Sequence, residues 1–254
     1  MTKNNVDYLK FINYEFIQDD RFIKANTDTA FLGMFLDKMI NKSVLDIGTN
    51  TGALLLYAHY HGAKYLYGVD IHGDALKTAN KNLKKYTDTY KTYEARVQDL
   101  EIGPVDVVIC NPPFFEMNNI AEDKNFREAL FEETLPLEDL FKALRKFMKD
   151  NGEAYILYQA DRLPEVYDMC KKYKLKIMKM QFIHDINSKQ ALRIMLKLKI
   201  GPMTKIKIYE PIMIDRGQKV KATYQIDTVH LVSVMQWFLP LKSYILTKRI
   251  KLLL

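Results

Sequence analysis

Cysteine is nearly absent from this chain: Cys110 and Cys170 are the only two in 254 residues, with no Cys-x-x-Cys pair and no Cys/His cluster. That excludes a disulfide framework and a structural zinc site, and no other metal site is expected. Cys110 follows an apolar run with no base beside it, so both thiols read as buried and unreactive. An apolar secretion signal is lacking too, since the chain starts Met1-Thr-Lys-Asn-Asn-Val-Asp7. Beyond Asp215 the longest uncharged run, Thr228–Leu241, stops at 14 residues and holds His230 and Pro240. It is too short to span a bilayer and reads as a packing or self-association helix. These absences predict a cytoplasmic protein without membrane contact. No internal repeat occurs.

Glycine is missing where a dinucleotide would need it. The run Ser43-Val-Leu-Asp46-Ile-Gly48-Thr-Asn50-Thr-Gly52-Ala53 carries apolar strand character into a turn that opens an amphipathic helix. This is the start of a nucleotide-binding βαβ unit, with helix N-terminal amides facing the ligand. The spacing is Gly-x-x-x-Gly, however, and Asn50 stands where the dinucleotide pattern has glycine. A pyrophosphate would find no close cradle, and Asp46 would repel it. An anion at that strand end suits an ammonium or sulfonium group, which points to S-adenosylmethionine rather than NAD.

A second strand ends in Asp70, 22 residues after Gly48, the place of a carboxylate that accepts from ribose hydroxyls. A third, near Tyr90–Val97, leads to Asp99, an acceptor for an adenine amino group. Either aspartate alone could be an ordinary helix N-cap. A fourth strand, Asp106–Cys110, runs into Asn111-Pro112-Pro113-Phe114. Two prolines stiffen that turn and remove donors, leaving the Asn111 amide and the Pro112 carbonyl beside an aromatic ring. Such a set suits a planar exocyclic nitrogen. Strand ends in an open α/β sheet form the ligand crevice, so these residues should meet.

Charge is uneven. Lys142–Leu254 holds 23 Lys and Arg against 9 Asp and Glu, whereas residues 1–141 hold 15 against 22. A basic half interleaved with tyrosines, as in Lys171-Lys172-Tyr173-Lys174, implies a polyanionic partner. Strand alternation groups Arg193, Met195, Lys197 and Lys199 on one face of Ala191–Ile200. We expect that row to face solvent and, with Lys189, Lys205, Lys207, Lys219 and Lys221, to dock RNA.

Residues 1–40 read as an N-terminal segment over the cofactor site, ending in an amphipathic stretch, Thr29–Ile40. Strand and helix alternate four times over 43–114, and 115–135 is a polar, acidic loop. A helix, Pro136–Lys149, stops at Asn151-Gly152. It is followed by a strand (Glu153–Tyr158), a helix (Arg162–Tyr173) and an antiparallel hairpin of Lys176–His184 with Ala191–Ile200. The main domain is 41–215, and 216–254 is a tail of unknown role.

The order Asp46…Gly52, Gly68-Val-Asp70, Asp99 and Asn111-Pro-Pro-Phe114 resembles the class I S-adenosylmethionine-dependent methyltransferases. Lys24-Ala-Asn-Thr27-Asp28…Leu32-Gly33, Arg127-Glu128 and Tyr158-x-x-Asp-Arg162-Leu163 are similar to the tRNA1(Val) adenine-37 N6-methyltransferase family over about residues 8–215. That resemblance implies a Rossmann-like α/β fold, a seven-stranded, mostly parallel sheet with an antiparallel last strand. It implies a cofactor site of Lys24, Thr27, Asp46, Gly48, Asn50, Gly52, Asp70, Ile71, Asp99 and Asn111. Catalysis would fall to Asn111, Pro112 and Phe114, and substrate binding to Phe114, Phe115 and Arg127, with Lys189, Arg193 and Lys197 added from the basic row. The partner would be tRNA, and no obligatory protein partner is evident. Two other readings are a protein-glutamine N5-methyltransferase, which would carry a helical domain ahead of Val44, and an RNA-binding module that has lost catalysis. A DNA N6-adenine methyltransferase would need a larger target-recognition domain than 201–254.

Overall fold

The computed structural model describes residues 5–18, 21–22, 24–112, 135–187 and 190–214. The acidic loop, apart from Leu135, and the tail lie outside them. A hairpin of β1 (Asn5–Tyr8) and β2 (Glu15–Gln18) precedes α1 (Thr27–Phe35). Then come β3 (Ser43–Ile47), α2 (Ala53–Tyr60), β4 (Tyr65–Asp70), α3 (Gly73–Lys84), β5 (Tyr90–Glu94) and β6 (Val105–Cys110). After the undescribed loop follow α4 (Leu137–Phe147), β7 (Met148–Gln159), α5 (Leu163–Lys172), β8 (Leu175–Asp185) and β9 (Ala191–Ile200). Two short strands, β10 (Lys207–Ile208) and β11 (Ile212–Ile214), complete the described chain.

The sheet runs β5-β4-β3-β6-β7-β9-β8. All seven expected strands are present, and β9 lies antiparallel to both β7 and β8. The sheet is nine-stranded, however, because β10 and β11 both pair in parallel with the outer edge of β8. The central strands β3 and β6 are buried on both faces (Val44, Leu45, Val107, Val108 and Ile109 show no exposure), which is why they read as unbroken apolar runs. Right-handed crossovers from β3 towards β5 put α2 and α3 on one face. Those from β6 towards β8 put α4 and α5 on the other. Helix α1 packs beside α2 and over β7. Among the described residues no helix is long and apolar enough to cross a membrane.

Several boundaries differ from the sequence expectation, among them three next to the site or the sheet. Helix α1 starts at Thr27 rather than Thr29, because the Asn26 side chain caps it by accepting from Thr29 N at 3.1 Å. Helix α4 ends at Phe147, and Asn151-Gly152 forms a bulge inside β7, where Val105 pairs with Met148 but Val107 with Glu153. The third strand of the alternation ends at Glu94, and Val97–Asp99 is a short 3₁₀ turn.

The largest correction concerns the cationic row of β9. Arg193 and Lys197 do not face solvent: their side chains are only 12% and 13% exposed. The face carrying them is the bed of the N-terminal segment. Arg193 pairs with Asp28 in the first turn of α1, and Lys197 with Asp37 just beyond its last turn. Four strand residues span about 13 Å, as does a nine-residue helix, so the two pairs grip opposite ends of α1. Lys179 of β8 stands directly opposite Lys197. Like charges in that register repel unless something lies between them. Asp37 does, at 2.7 Å from each ammonium, and Lys179 also donates to the Phe35 carbonyl at 2.8 Å. Glu153 binds Lys197 and Lys199 from β7. Burial would raise the Glu153 carboxyl, but the Lys197 contact, with Lys199 and Lys42 behind it, holds it at about 2.

Replacing Asp37 by alanine would strand a buried lysine opposite another. Since Asp37 is itself half-solvated, the loss should be about 2–3 kcal/mol, somewhat below the cost of breaking a fully buried pair. Urea denaturation of Asp37→Ala measures it, and unchanged stability would make these contacts incidental.

Candidate cofactor and catalytic site

The strand order reverses between β3 and β6, both of which start crossovers in opposite directions. That switch point is where an open α/β sheet binds its ligand. Register sets the residues level with one another: Ile47 pairs with Cys110 on one side and with Val69 on the other. Gly48, Asp70 and Asn111 therefore leave the sheet together.

The loop 48–52 is a left-handed turn, with φ of +72° at Gly48, +49° at Asn50 and +87° at Gly52. Asparagine tolerates that region, so the departure at Asn50 leaves the turn intact. Among the described residues, no atom beyond its chain neighbours lies within 4 Å of where a Gly48 side chain would start, which leaves room for a ligand. Asp70 organises the loop by accepting from Asn50 N at 2.7 Å and from His72 N at 3.0 Å. Burial still raises its carboxyl above the ordinary range, the two backbone bonds offsetting part of that. A carboxylate has acceptor sites left after two such bonds, so a ribose diol could still be held.

Asp46 is 1% exposed on β3, opposite Gly68. A side chain at Gly68 would come within 2.8 Å of the Thr49 methyl, so glycine there lets the loop close on Asp46. Both Asp46 carboxylate oxygens, the Thr49 hydroxyl and Oδ1 of Asn111 are buried without a hydrogen-bond partner among the described residues. Buried polar groups are nearly always paired, so four orphaned oxygens at converging strand ends call for a ligand rich in donors and positive charge. S-adenosylmethionine fits that demand, with an ammonium, a sulfonium and ribose hydroxyls. A pyrophosphate does not. Burial pushes Asp46 up to about 8; the adjacent Thr49 hydroxyl offsets part of that, and the charge of Asp70 adds to it.

The other expected site residues divide into two groups. Ile71 is half-buried beside Asp70, Pro112 is buried behind Asn111, and Thr27 accepts from the Lys10 ammonium at 3.3 Å. Lys24 and Asp99 are exposed. Phe114, Phe115, Arg127, Lys189, Lys219 and Lys221 lie outside the described residues, while Lys205 and Lys207 are exposed. Thr49, and His72 packed against Phe22 at 5.9 Å, were missed by sequence reasoning. Thr49 sits inside the glycine loop and was legible there; Phe22 reaches the site from 50 residues away and carried no signal. Burial raises the Cys110 thiol far above its usual value, in keeping with an inert side chain. Among the described residues no group of His, Cys, Asp and Glu could hold a metal ion.

Comparison with known proteins agrees with this geometry. The methyltransferase small domain family matches residues 22–161. The chain is 23% identical over 205 residues to the tRNA1(Val) (adenine(37)-N6)-methyltransferase of Parabacteroides distasonis, covering 79% of this chain and 86% of that one. It is 26% identical over 191 residues to the protein of the same name from Shewanella frigidimarina, covering 71% and 76%. The crystal structure of the ribosomal protein L11 methylase from Lactobacillus delbrueckii subsp. bulgaricus superposes with a TM-score of 0.54 at 19% identity, over 72% of this chain and 84% of that one.

Because a cation stabilises ionised Asp46, cofactor binding below pH 8 must expel a proton. Affinity for S-adenosylmethionine should therefore rise as pH increases from 6 to 8, by up to about tenfold per unit. Calorimetry across that range checks it, and a flat profile would remove Asp46 from the cation's surroundings. With the match spanning more than half its length, the chain belongs to the methyltransferase small domain family.

Proposed function

We propose that this enzyme methylates the exocyclic N6 amino group of an adenine in tRNA, A37 of the tRNA1(Val) anticodon loop. The observation that carries the reading is Asn111 Oδ1, an amide acceptor buried without a partner among the described residues at the end of β6, level with the cofactor turn. An adenine amino group is a poor nucleophile because its lone pair is delocalised into the ring. Asn111 Oδ1 and the Pro112 carbonyl would accept its two hydrogens and draw the nitrogen towards sp³ geometry. The bound cofactor supplies an electrophilic methyl group on a sulfonium. The methylated nitrogen is strongly acidic and loses its extra proton without a dedicated base. Phe114 takes the role of stacking platform from its place in the sequence, and an anticodon-loop base is already partly free to enter.

The relatives above carry this activity in their names. A planar glutamine amide could use the same acceptors. Among the described residues, the segment ahead of β3 is a β-hairpin and one helix packed on the sheet. The basic second half favours a polyanion, with Arg193 and Lys197 now assigned to the fold and the exposed Lys205 and Lys207 remaining as RNA-facing cations.

Asn111→Ala should slow methyl transfer to tRNA by about a hundredfold, roughly 3 kcal/mol, the cost of losing one preorganised contact at a reacting centre. Its affinity for tRNA should stay within a few-fold, because phosphate contacts dominate that interface. Single-turnover assays with filter binding separate the two, and near-normal rates in the variant would contradict the acceptor role.

A further inference from the structure

We infer that Asp28 and Arg193 form a positioning pair for cofactor capture, fixing the first turn of α1 as a wall of the crevice. Arg193 Nε stands 3.3 Å from Asp28 Oδ2, with both side chains 12% exposed. Its place in the sheet puts this contact at the catalytic end. Arg193 pairs with Gln159 of β7, and β7 pairs Ile156 with Cys110 of β6. Two strand spacings and two residues of rise separate Arg193 from Asn111, a backbone distance of about 12 Å. The same turn of α1 is tied on its other flank. Lys10 donates to Thr27 Oγ1 at 3.3 Å, and Tyr57 of α2 donates to the Lys10 carbonyl at 2.7 Å. Helix α2 itself opens from the Gly48–Gly52 turn. The first turn of α1 is thus strung between the cofactor loop's helix and β9.

The contact is separable from the anchorage of the helix as a whole. At its other end α1 is held by Asp37 between Lys179 and Lys197, and along its length by buried Phe31, Leu32 and Phe35. Losing the upper pair leaves those contacts in place and frees only the first turn, a local opening. The cofactor should sense that opening more than global stability does. This inference rests on S-adenosylmethionine as the ligand and is independent of which RNA is methylated.

The test is binding of S-adenosylhomocysteine and S-adenosylmethionine to the full chain, with thermal unfolding measured in parallel. Arg193→Ala and Asp28→Asn should each weaken both ligands about tenfold, a readily resolved change in Kd. Their melting temperatures should fall by only a few degrees. The reversed pair, Asp28→Arg with Arg193→Asp, should recover most of the lost affinity, which a general packing defect would not allow. If Arg193→Ala fails to fold, the isosteric Asp28→Asn decides alone. Affinity within twofold of wild type in the folded single variants would overturn the inference, as would a folded reversed pair no better than either single. A wild-type protein that binds the cofactor but leaves tRNA unmethylated would count against the proposed substrate and not against this pair.

Discussion

Two lysines, Lys179 and Lys197, face each other across β8 and β9, and the seating of the N-terminal segment depends on the carboxylate placed between them. Burying like charges in register is unfavourable, and Asp37 resolves it with one oxygen to each ammonium. The requirement positions α1, because Asp37 lies two residues past the helix and Arg193, four residues up the same strand face, takes Asp28 at its start. With both ends fixed, α1 has one place on the sheet, beside α2 and over β7. A face of β9 that carries three cations becomes an interior surface in this way. Glu153 and the Tyr155 hydroxyl complete the cluster, and burial among those carboxylates keeps the phenol protonated.

The crevice follows the opposite logic. Where the β9 cluster pairs every charge it buries, the ends of β3 and β6 bury oxygens that find no donor among the described residues. The fold can sustain this because strand pairing, right-handed crossovers and a large apolar core supply the stability. Asp70 spends two acceptor sites on the backbone of its own loop, so the left-handed turn is set before any ligand arrives. Such preorganisation makes a cofactor site a poor place for phosphate and a good one for a cation.

Most of this was legible in the sequence. Apolar runs ending in Asp46, Asp70 and Cys110 gave the strands, and the glycine spacing gave the turn. The 22-residue step from Gly48 to Asp70 gave the carboxylate that holds it. The cations of β9 misled, and for a definite reason. Period-two alternation shows which residues share a face of a strand but not whether that face meets solvent or another element. The partners, Asp28 and Asp37, lie some 160 residues away in sequence, beyond any local pattern. Helix ends were misjudged where a side-chain cap or a bulge outweighed periodicity, at Asn26 and at Gly152.

The central claim is that the acceptors at the end of β6 select an exocyclic adenine nitrogen in RNA. Incubating the purified chain with labelled S-adenosylmethionine and unmodified tRNA1(Val), then digesting to nucleosides for mass spectrometry, tests it most directly. The account predicts N6-methyladenosine, lost when A37 is replaced by guanosine. Methylation at a ring position of adenine, or label that enters only a protein glutamine, would contradict it.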